Sequence, residues 1–321
     1  MNVLLGIDGL KRIPRGAVLS IGNFDGAHRG HQHILQILQS LRESTPGAAL
    51  AIATFEPHPF TVLRPQFAPP RLTSPMMKQR LLEELGVTHY VILPPTHDVL
   101  NLSAEQFWTI LRDDVQPSHL VEGKDFTFGK MRGGTIHHLR TWAEKTPVQL
   151  HIADAVRVAL LDLSVVPVSS SLIRFLVSCG RMRDAAICLG RPYLVEGEVV
   201  LGYQRGRTIG VPTANLQVKE QLIPSDGVYA GRMHLQGRTF AAAVSIGTTP
   251  TFDGVKHQVE AHLLEFAGDL YGHTLQLQII DWIRDQRKFP VLDALKEQLR
   301  RDFIAVRERV ALDTPRSFAV I

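Results

Sequence analysis

Apolar residues along the first half of the chain fall into short, continuous runs separated by stretches with helical spacing. Val18-Leu19-Ser20-Ile21 reads as a buried strand, and Ala49–Phe55, Tyr90–Leu93, His119–Val121 and Val148–Ile152 read as four more. Continuous rather than alternating apolarity is the mark of strands covered on both faces. Between them, Ile34, Leu35 and Leu38 share one side of a helix that opens at His28–His31. Thr73-Ser74-Pro75 starts a second helix carrying Leu81, Leu82 and Leu85, which ends at Gly86. Serine caps orphan N–H groups there and proline suits the first turn. Ser103 caps a helix with Phe107, Ile110 and Leu111, and a fourth surrounds Leu139 and Trp142. Strands alternating with helices predict right-handed crossovers and a parallel sheet covered on both faces, a Rossmann-like α/β domain.

Beyond Pro192 the period changes. Cys179-Gly180-Arg181 and Leu189-Gly190-Arg191-Pro192 close two short helices with glycine. Leu194–Leu201, Gly227–Leu235, Arg238–Ile246, Gln258–Leu264 and Thr274–Ile283 are β-rich runs, with Gln236-Gly237 as a tight hairpin turn. Consecutive strands without intervening helices predict a small antiparallel β-barrel. A terminal amphipathic helix carries Leu292, Leu295, Leu299, Phe303, Val306 and Val310. The sequence thus predicts two domains, 1–190 and 191–321.

Composition agrees with two packed cores: 321 residues, 45% apolar and 21% charged. The first residues lack a signal peptide's basic and apolar regions, and no run approaches the ~18–20 apolar residues of a membrane span. Cys179 and Cys188 lack CxxC spacing and read as ordinary buried thiols, so the expected compartment is a reducing cytoplasm. A net charge of +4 suits polyphosphate ligands. Without a Lys/Arg block or interleaved aromatics, neither a nucleic-acid nor a membrane partner is expected. No coiled coil marks an oligomer, and the oligomeric state stays open.

The chemistry concentrates at Gly22-Asn23-Phe24-Asp25-Gly26, followed by His28-Arg29-Gly30-His31. A strand that breaks at glycines and turns into a helix start directs free N–H groups and the positive dipole end at an anion. His28 and His31 lie on one helical face and could reach a single phosphate. Three readings stand for them: two surface histidines, a metal cluster with His33, or phosphate-transfer chemistry. The His-x-Gly-His spacing resembles the signature of nucleotidyltransferases, which join ATP to an acceptor and release pyrophosphate.

Two further segments are candidates for the same site. Ser169-Ser170-Ser171 put hydroxyls at a helix start with Arg174 one turn in, either as simple capping or as a triphosphate contact. Asp125, in the basic glycine-rich loop Lys124–Gly134, is a turn residue or a contact to the nucleotide or its acceptor. In the second half, Gly206, Arg207 and Gly210 belong to Gly202–Asn215, a loop that lets backbone approach phosphate closely. Pro212-Thr213-Ala214-Asn215 follows. Thr213 and Asn215 offer a hydroxyl and an amide oxygen on one side of an extended segment, the hard ligands that Mg²⁺ accepts, or else form a turn. Glu260 and His262 share a strand face, where Glu260 is a general base or a solvent-facing carboxylate.

Taken in order, Gly22–His31, Phe55-Glu56-Pro57-His58-Pro59, Gly123–Gly129 and Ser169–Arg174 resemble the FMN adenylyltransferase module of bacterial FAD synthetases. Leu189–Tyr193, Gly210–Leu216, Gly227–Ala230, Ile246–Phe252, Glu260–Phe266 and Asp269–Gly272 resemble the riboflavin kinase module fused to it. Three departures are visible. Ser245 stands where Asn usually precedes Ile-Gly, Ser171 where Thr is usual, and Gln286 where an acidic residue is common.

The resemblance implies a bifunctional enzyme acting on small molecules. Riboflavin would be phosphorylated by ATP to FMN with Glu260 as base, Thr213 and Asn215 holding the Mg²⁺–nucleotide, and Gly206, Arg207, Gly210 and Pro212 contacting ligand. FMN would then be adenylylated by a second ATP to FAD. Here His28 and His31 would stabilise the α-phosphate, Arg174 the leaving charge, and Gly22–Gly26, Asp125, Ser170 and Ser171 would contact nucleotide or flavin. The competing expectations are a kinase with an inefficient adenylyltransferase half, a non-catalytic flavin or nucleotide sensor, and an RNA-binding regulator.

Overall fold

The computed structural model describes residues 1–202, 210–251 and 254–313. These residues form two compact units, one of 1–69 and 75–157, the other of 70–74 and the described residues from 158 onward. The first is built on a parallel sheet of six strands: β1 (Asn2–Leu5), β2 (Val18–Ile21), β3 (Leu50–Phe55), β4 (His89–Leu93), β5 (His119–Gly123) and β6 (Gln149–Ala153), in the order β1-β4-β3-β2-β5-β6. Its principal helices are α1 (Arg29–Glu43), α2 (Pro75–Glu84), α3 (Ala104–Thr109) and α4 (Ile136–Ala143).

Strand alternation splits the apolar runs between two cores. Leu19, Ile21, Ala51, Ala53, Val91, Leu93 and Leu120 face Phe107 and Trp108 on one side. Val18, Leu50, Ile52, Tyr90 and Val121 face Leu35, Leu38 and Leu82 on the other. A shift of one residue in any strand would exchange the two sets, so the continuous apolarity is needed on both faces.

The pattern did not reveal β1. This four-residue edge strand is mostly exposed and pairs in parallel with β4 alone, so it has little apolar signature. The helix capped by Ser103 is α-helical only through Thr109. A π-turn over Ile110–Val115 follows, and Gln116 closes it in the left-handed region at φ 49°.

The second unit contains α5 (Ser170–Ser178) and α6 (Met182–Leu189), which ends on Gly190 at φ 75°. Six strands close into a barrel: β7 (Tyr193–Val200), β8 (Ala214–Val218), β9 (Gly227–Leu235), β10 (Arg238–Thr251), β11 (Gly254–Leu263) and β12 (Thr274–Arg284), in the order β7-β8-β11-β10-β9-β12. Every pairing is antiparallel. Gln236 and Gly237 both adopt positive φ, 49° and 74°, as a two-residue hairpin between right-twisted strands requires. In the barrel, sequence reading missed β8, although Ala214–Val218 alternates apolar and polar residues, because its first residues fall in the Gly202–Asn215 stretch read as a loop.

Helix α7 (Leu292–Leu312) lays Val306, Phe303 and Val310 on a patch of Ala230, Ala241, Ala243, Leu264 and Ile283. Asp302 on α7 is 2% exposed and accepts a forked pair of bonds from Arg284 of β12, at 3.0 and 2.7 Å, and another from Gln298 at 2.7 Å. The excursion Pro70–Ser74 is held in this unit by Gln221 Nε2 on the Leu72 carbonyl (3.0 Å), Leu222 N–H on the Arg71 carbonyl (2.7 Å) and Ser74 Oγ on Glu196 (2.8 Å). Cys188 is buried as expected, but Cys179, also expected to be a buried thiol, is exposed, because it is the C-cap residue that ends α5.

Candidate active sites

In the first unit the turn Gly22–Ala27 joins β2 to α1 at the carboxyl end of the sheet. Phe24, Gly26 and Ala27 all have positive φ (47°, 85° and 40°). Such a backbone is costly away from glycine and persists only where contacts hold it. Those contacts are specific. Thr54 Oγ1 donates to the Asn23 carbonyl at 3.0 Å, Ala27 N–H to the Phe24 carbonyl at 3.1 Å, and Gln32 Nε2 to the Ala27 carbonyl at 2.8 Å. Phe24 is buried in the α1-side core, and Asp25 is buried beside it in sequence.

His28 is the N-cap of α1. Its Nδ1 accepts the His31 N–H at 3.3 Å, and its ring stacks on that of His31 with centroids 3.6 Å apart and planes 14° from parallel. Phe24 lies against the other ring, 4.9 Å from His31. With Nδ1 engaged as acceptor, the neutral tautomer inferred for His28 carries its proton on Nε2, which makes that edge of the ring a donor. The His28–His31 pair is therefore a partly buried, pre-oriented group at a helix N-terminus, suited to an anion. Among the described residues no group of three or more His, Cys, Asp or Glu could hold a metal, so the cluster with His33 does not form.

Asp125 lies exposed in the turn after β5. Gly129, at the far end of that loop, sits at φ 72°, and a Cβ there would stand 2.6 Å from the Ala104 backbone nitrogen. Only glycine fits this close approach. Ser170, Ser171 and Arg174 belong to α5 and thus to the second unit. Ser169 is the residue that caps the helix, accepting the Leu172 N–H at 3.2 Å, while Arg174 Nε donates to the Pro70 carbonyl at 2.7 Å.

One carboxyl in the first unit escaped sequence reading. Glu122 of β5 is 2% exposed and accepts the Ile21 N–H at 2.7 Å; burial holds its pKa well above the usual carboxylate range. Its only signal in the sequence is an acidic residue just past the apolar run His119–Val121.

In the second unit, Thr213, Asn215 and Pro212 line a cavity of about 680 Å³, with Val199, Phe266 and Tyr271 among the apolar walls. Asn215 is buried, and its Oδ1 accepts from Gln258 Nε2 at 3.0 Å, which orients the amide. A Cβ on Gly202 would overlap that amide, so the chain passes Asn215 as glycine. Register brings Asn215 directly opposite Glu260, and Glu260 opposite Ser245, across three neighbouring strands.

His262, two residues from Glu260 on the same strand face, bonds through Nδ1 to the Pro212 carbonyl at 2.7 Å and stacks on Phe303 of α7. It thereby ties the Pro212-Thr213 turn to the barrel, a role its position in the sequence did not disclose. Gly206 and Arg207 lie outside the described residues; Gly210 is exposed at φ 78°. Hydroxyl and amide oxygens beside a cavity of this size form a donor set that fits Mg²⁺, a cation that retains water and phosphate ligands.

A Rossmann-like sheet with a histidine turn at its carboxyl end, followed by a closed barrel with Thr213 and Asn215 on a cavity and Glu260 in register with Asn215, fits a two-module nucleotide-dependent transferase. Residues 10–166 match the FAD synthetase family and residues 189–310 the riboflavin kinase family. The chain is 35% identical to the bifunctional riboflavin kinase/FMN adenylyltransferase of Escherichia coli, over 98% of this chain and 100% of that one. It is 34% identical to the protein of the same name from Pseudomonas fluorescens, over 97% and 98%. The chain belongs to the family of bifunctional riboflavin kinases/FMN adenylyltransferases. A crystal structure described as a macrolide-efflux protein from Streptococcus pneumoniae superposes with a TM-score of 0.85 at 29% identity, covering 96% of this chain and 99% of that one. Among the described residues of the present chain, no helix is long and apolar enough to cross a membrane.

Proposed function

We propose that the chain makes flavin cofactors in the cytoplasm in two ATP-dependent steps, with residues 191–321 acting as the kinase and residues 1–190 as the adenylyltransferase. In the first step the terminal hydroxyl of riboflavin attacks the γ-phosphorus of ATP, giving FMN and ADP. Glu260 takes the hydroxyl proton. Gly206, Arg207, Gly210 and Pro212 hold the ligands, while Gln258 orients the Asn215 amide and His262 fixes the turn that carries Thr213. Mg²⁺ held by Thr213 and Asn215 would supply charge neutralisation on the nucleotide phosphates. Positioning and electrostatics account for most of the rate in such transfers.

In the second step an FMN phosphate oxygen attacks the α-phosphorus of another ATP, giving FAD and pyrophosphate. His28, through its Nε2–H, and His31 donate to the crowded α-phosphate as charge builds on its oxygens. The turn Gly22-Asn23-Phe24-Asp25-Gly26 and Asp125 contact nucleotide or flavin. Ser170, Ser171 and Arg174 neutralise the leaving pyrophosphate, the planar guanidinium suiting a phosphate pair.

The observation that carries this reading is the stacked, capped His28–His31 pair at the end of β2, in a chain that also holds Asn215 and Glu260 in register. Product chromatography tests it. Purified protein with riboflavin, excess ATP and Mg²⁺ is expected to yield FAD. His28→Ala is expected to stop at FMN, and Glu260→Ala to make FAD only from supplied FMN. Wild-type protein that stops at FMN would leave a kinase alone; nucleotide and flavin binding without turnover would leave a sensor.

A further inference from the structure

The sheet order places the topological switch between β2 and β5: the chain moves from β2 to β3 and β4 on one side, then crosses to β5 on the other. Ligands of open α/β sheets sit in the crevice at such a point, outside the carboxyl ends of the strands. Here the two walls of the crevice are paired unequally. β2 pairs with β3 over four rungs, Val18↔Leu50 to Ile21↔Ala53, but with β5 over only Val18↔His119 and Leu19↔Leu120. Past Leu19 the two central strands part.

Parting exposes a difficulty. Gly22 N–H is directed to β3, where the Ala53 carbonyl accepts it at 3.0 Å. Ile21 N–H points the other way, towards the widening gap, and Ile21 is buried. A buried N–H without an acceptor is strongly unfavourable. Glu122, two residues beyond the last β5 rung, fills the gap with its side chain, and its Oε1 takes the Ile21 N–H at 2.7 Å. A leucine would suit the apolar face shared with Leu19, Ile21 and Leu120 equally well but would offer no acceptor. Because burial favours the neutral acid, the group provides a carbonyl acceptor without placing a full charge in the core.

We infer that Glu122 is a positioning residue for adenylyl transfer: its carboxyl replaces a main-chain rung, so β5 can separate from β2 while Ile21, and with it the Gly22–His31 turn, stays fixed. The inference rests on the assignment of adenylylation to that turn.

The test uses the full-length protein and its two activities. Glu122→Gln keeps a carbonyl acceptor of the same shape; Glu122→Leu removes it. FAD formation from supplied FMN is expected to fall about 10–100-fold in kcat for Glu122→Leu and only a few-fold for Glu122→Gln. Riboflavin phosphorylation in the same samples should be unchanged, which separates misplacement of the turn from loss of the fold. Hydrogen exchange of a peptide covering residues 18–27 is expected to accelerate in Glu122→Leu and to stay slow in Glu122→Gln.

Unchanged FAD formation by Glu122→Leu would overturn the inference. So would equal losses in both variants, since an amide carbonyl would then fail as a substitute. If Glu122→Leu also lost its kinase activity, the exchange comparison between wild type and Glu122→Gln would decide: acceleration in Glu122→Gln overturns the inference and slow exchange supports it. His28→Ala run alongside keeps the assumption separate. Full FAD formation by that variant would remove the adenylylation assignment whatever Glu122 does.

Discussion

Gln286 donates through Nε2 to Ser245 Oγ at 2.9 Å and, by the same nitrogen, to the Ile246 carbonyl at 3.0 Å. Ser245 is in turn the register partner of Glu260. Two of the departures from the family pattern are therefore one contact. A hydroxyl and an amide meet where an amide and a carboxylate would, with donor and acceptor exchanged.

Gln286→Glu alone is expected to turn a carboxylate onto the Ile246 carbonyl and lose that bond, lowering stability by about 1 kcal/mol. Adding Ser245→Asn supplies an amide N–H to the new carboxylate and should recover at least half of the loss. Thermal denaturation of the four proteins measures the coupling; strictly additive effects would show that the two positions do not act as a pair.

His28 serves as helix cap and is the proposed hydrogen-bond donor to the α-phosphate, and the two roles separate by substitution. His28→Ala should cost about 1 kcal/mol from the lost cap, whereas His28→Ser, with its own cap oxygen, should restore most of it. Both variants should lose adenylylation by about 10²–10³-fold, because neither carries an imidazole Nε2–H. Melting temperature and FAD formation, measured on the same samples, distinguish these effects. A His28→Ser protein with near-normal FAD formation would assign the histidine to capping alone.

His119 starts β5, His151 is the third residue of the neighbouring β6, and the two share a hydrogen bond between Nδ1 and Nε2 at 3.0 Å. Burial holds both below their ordinary value of 6.5, and for His119 the neighbouring His151 adds to the effect. The unfolded chain then takes up protons before the folded one does. Stability contributed by the pair is complete above about pH 6.5 and is lost as pH falls further. Melting temperatures between about pH 7.5 and about pH 5 should decline, and His151→Gln should flatten the decline. A profile with the wild-type slope in that variant would place the dependence elsewhere.

Arg284 and Asp302 bind α7 to the barrel, with both side chains less than one-fifth exposed. Asp302→Ala leaves the guanidinium without its carboxylate and is expected to cost about 3 kcal/mol. Chemical denaturation followed by the kinase activity reads this loss; a change below about 1 kcal/mol would mean that the guanidinium finds water instead.

Which features were readable in the sequence follows from how local their causes are. The His28–His31 turn was legible because a strand end, glycines, a cap and a helical period occupy one short stretch. Asn215 and Glu260 were legible as chemistry, but their register depends on how β8 and β11 meet across the barrel. Glu122 was not legible. Its burial and its partner Ile21 arise from a strand crossing between distant segments, and locally it resembles the acidic residue of any strand end. For the same reason α5 looks like part of the first half by sequence order, although its contacts put it in the second compact unit.

The excursion Pro70–Ser74 bears on how the chain emerges during synthesis. Its partners Glu196, Gln221 and Leu222 leave the ribosome long after the strands of the first sheet. The nascent first module can close β1 to β6 around its own cores before these three residues exist, whereas Arg174 of α5, which bonds the Pro70 carbonyl, emerges ahead of the barrel. A chain truncated between the modules would lack those three bonds permanently, although every residue of the first sheet would be present.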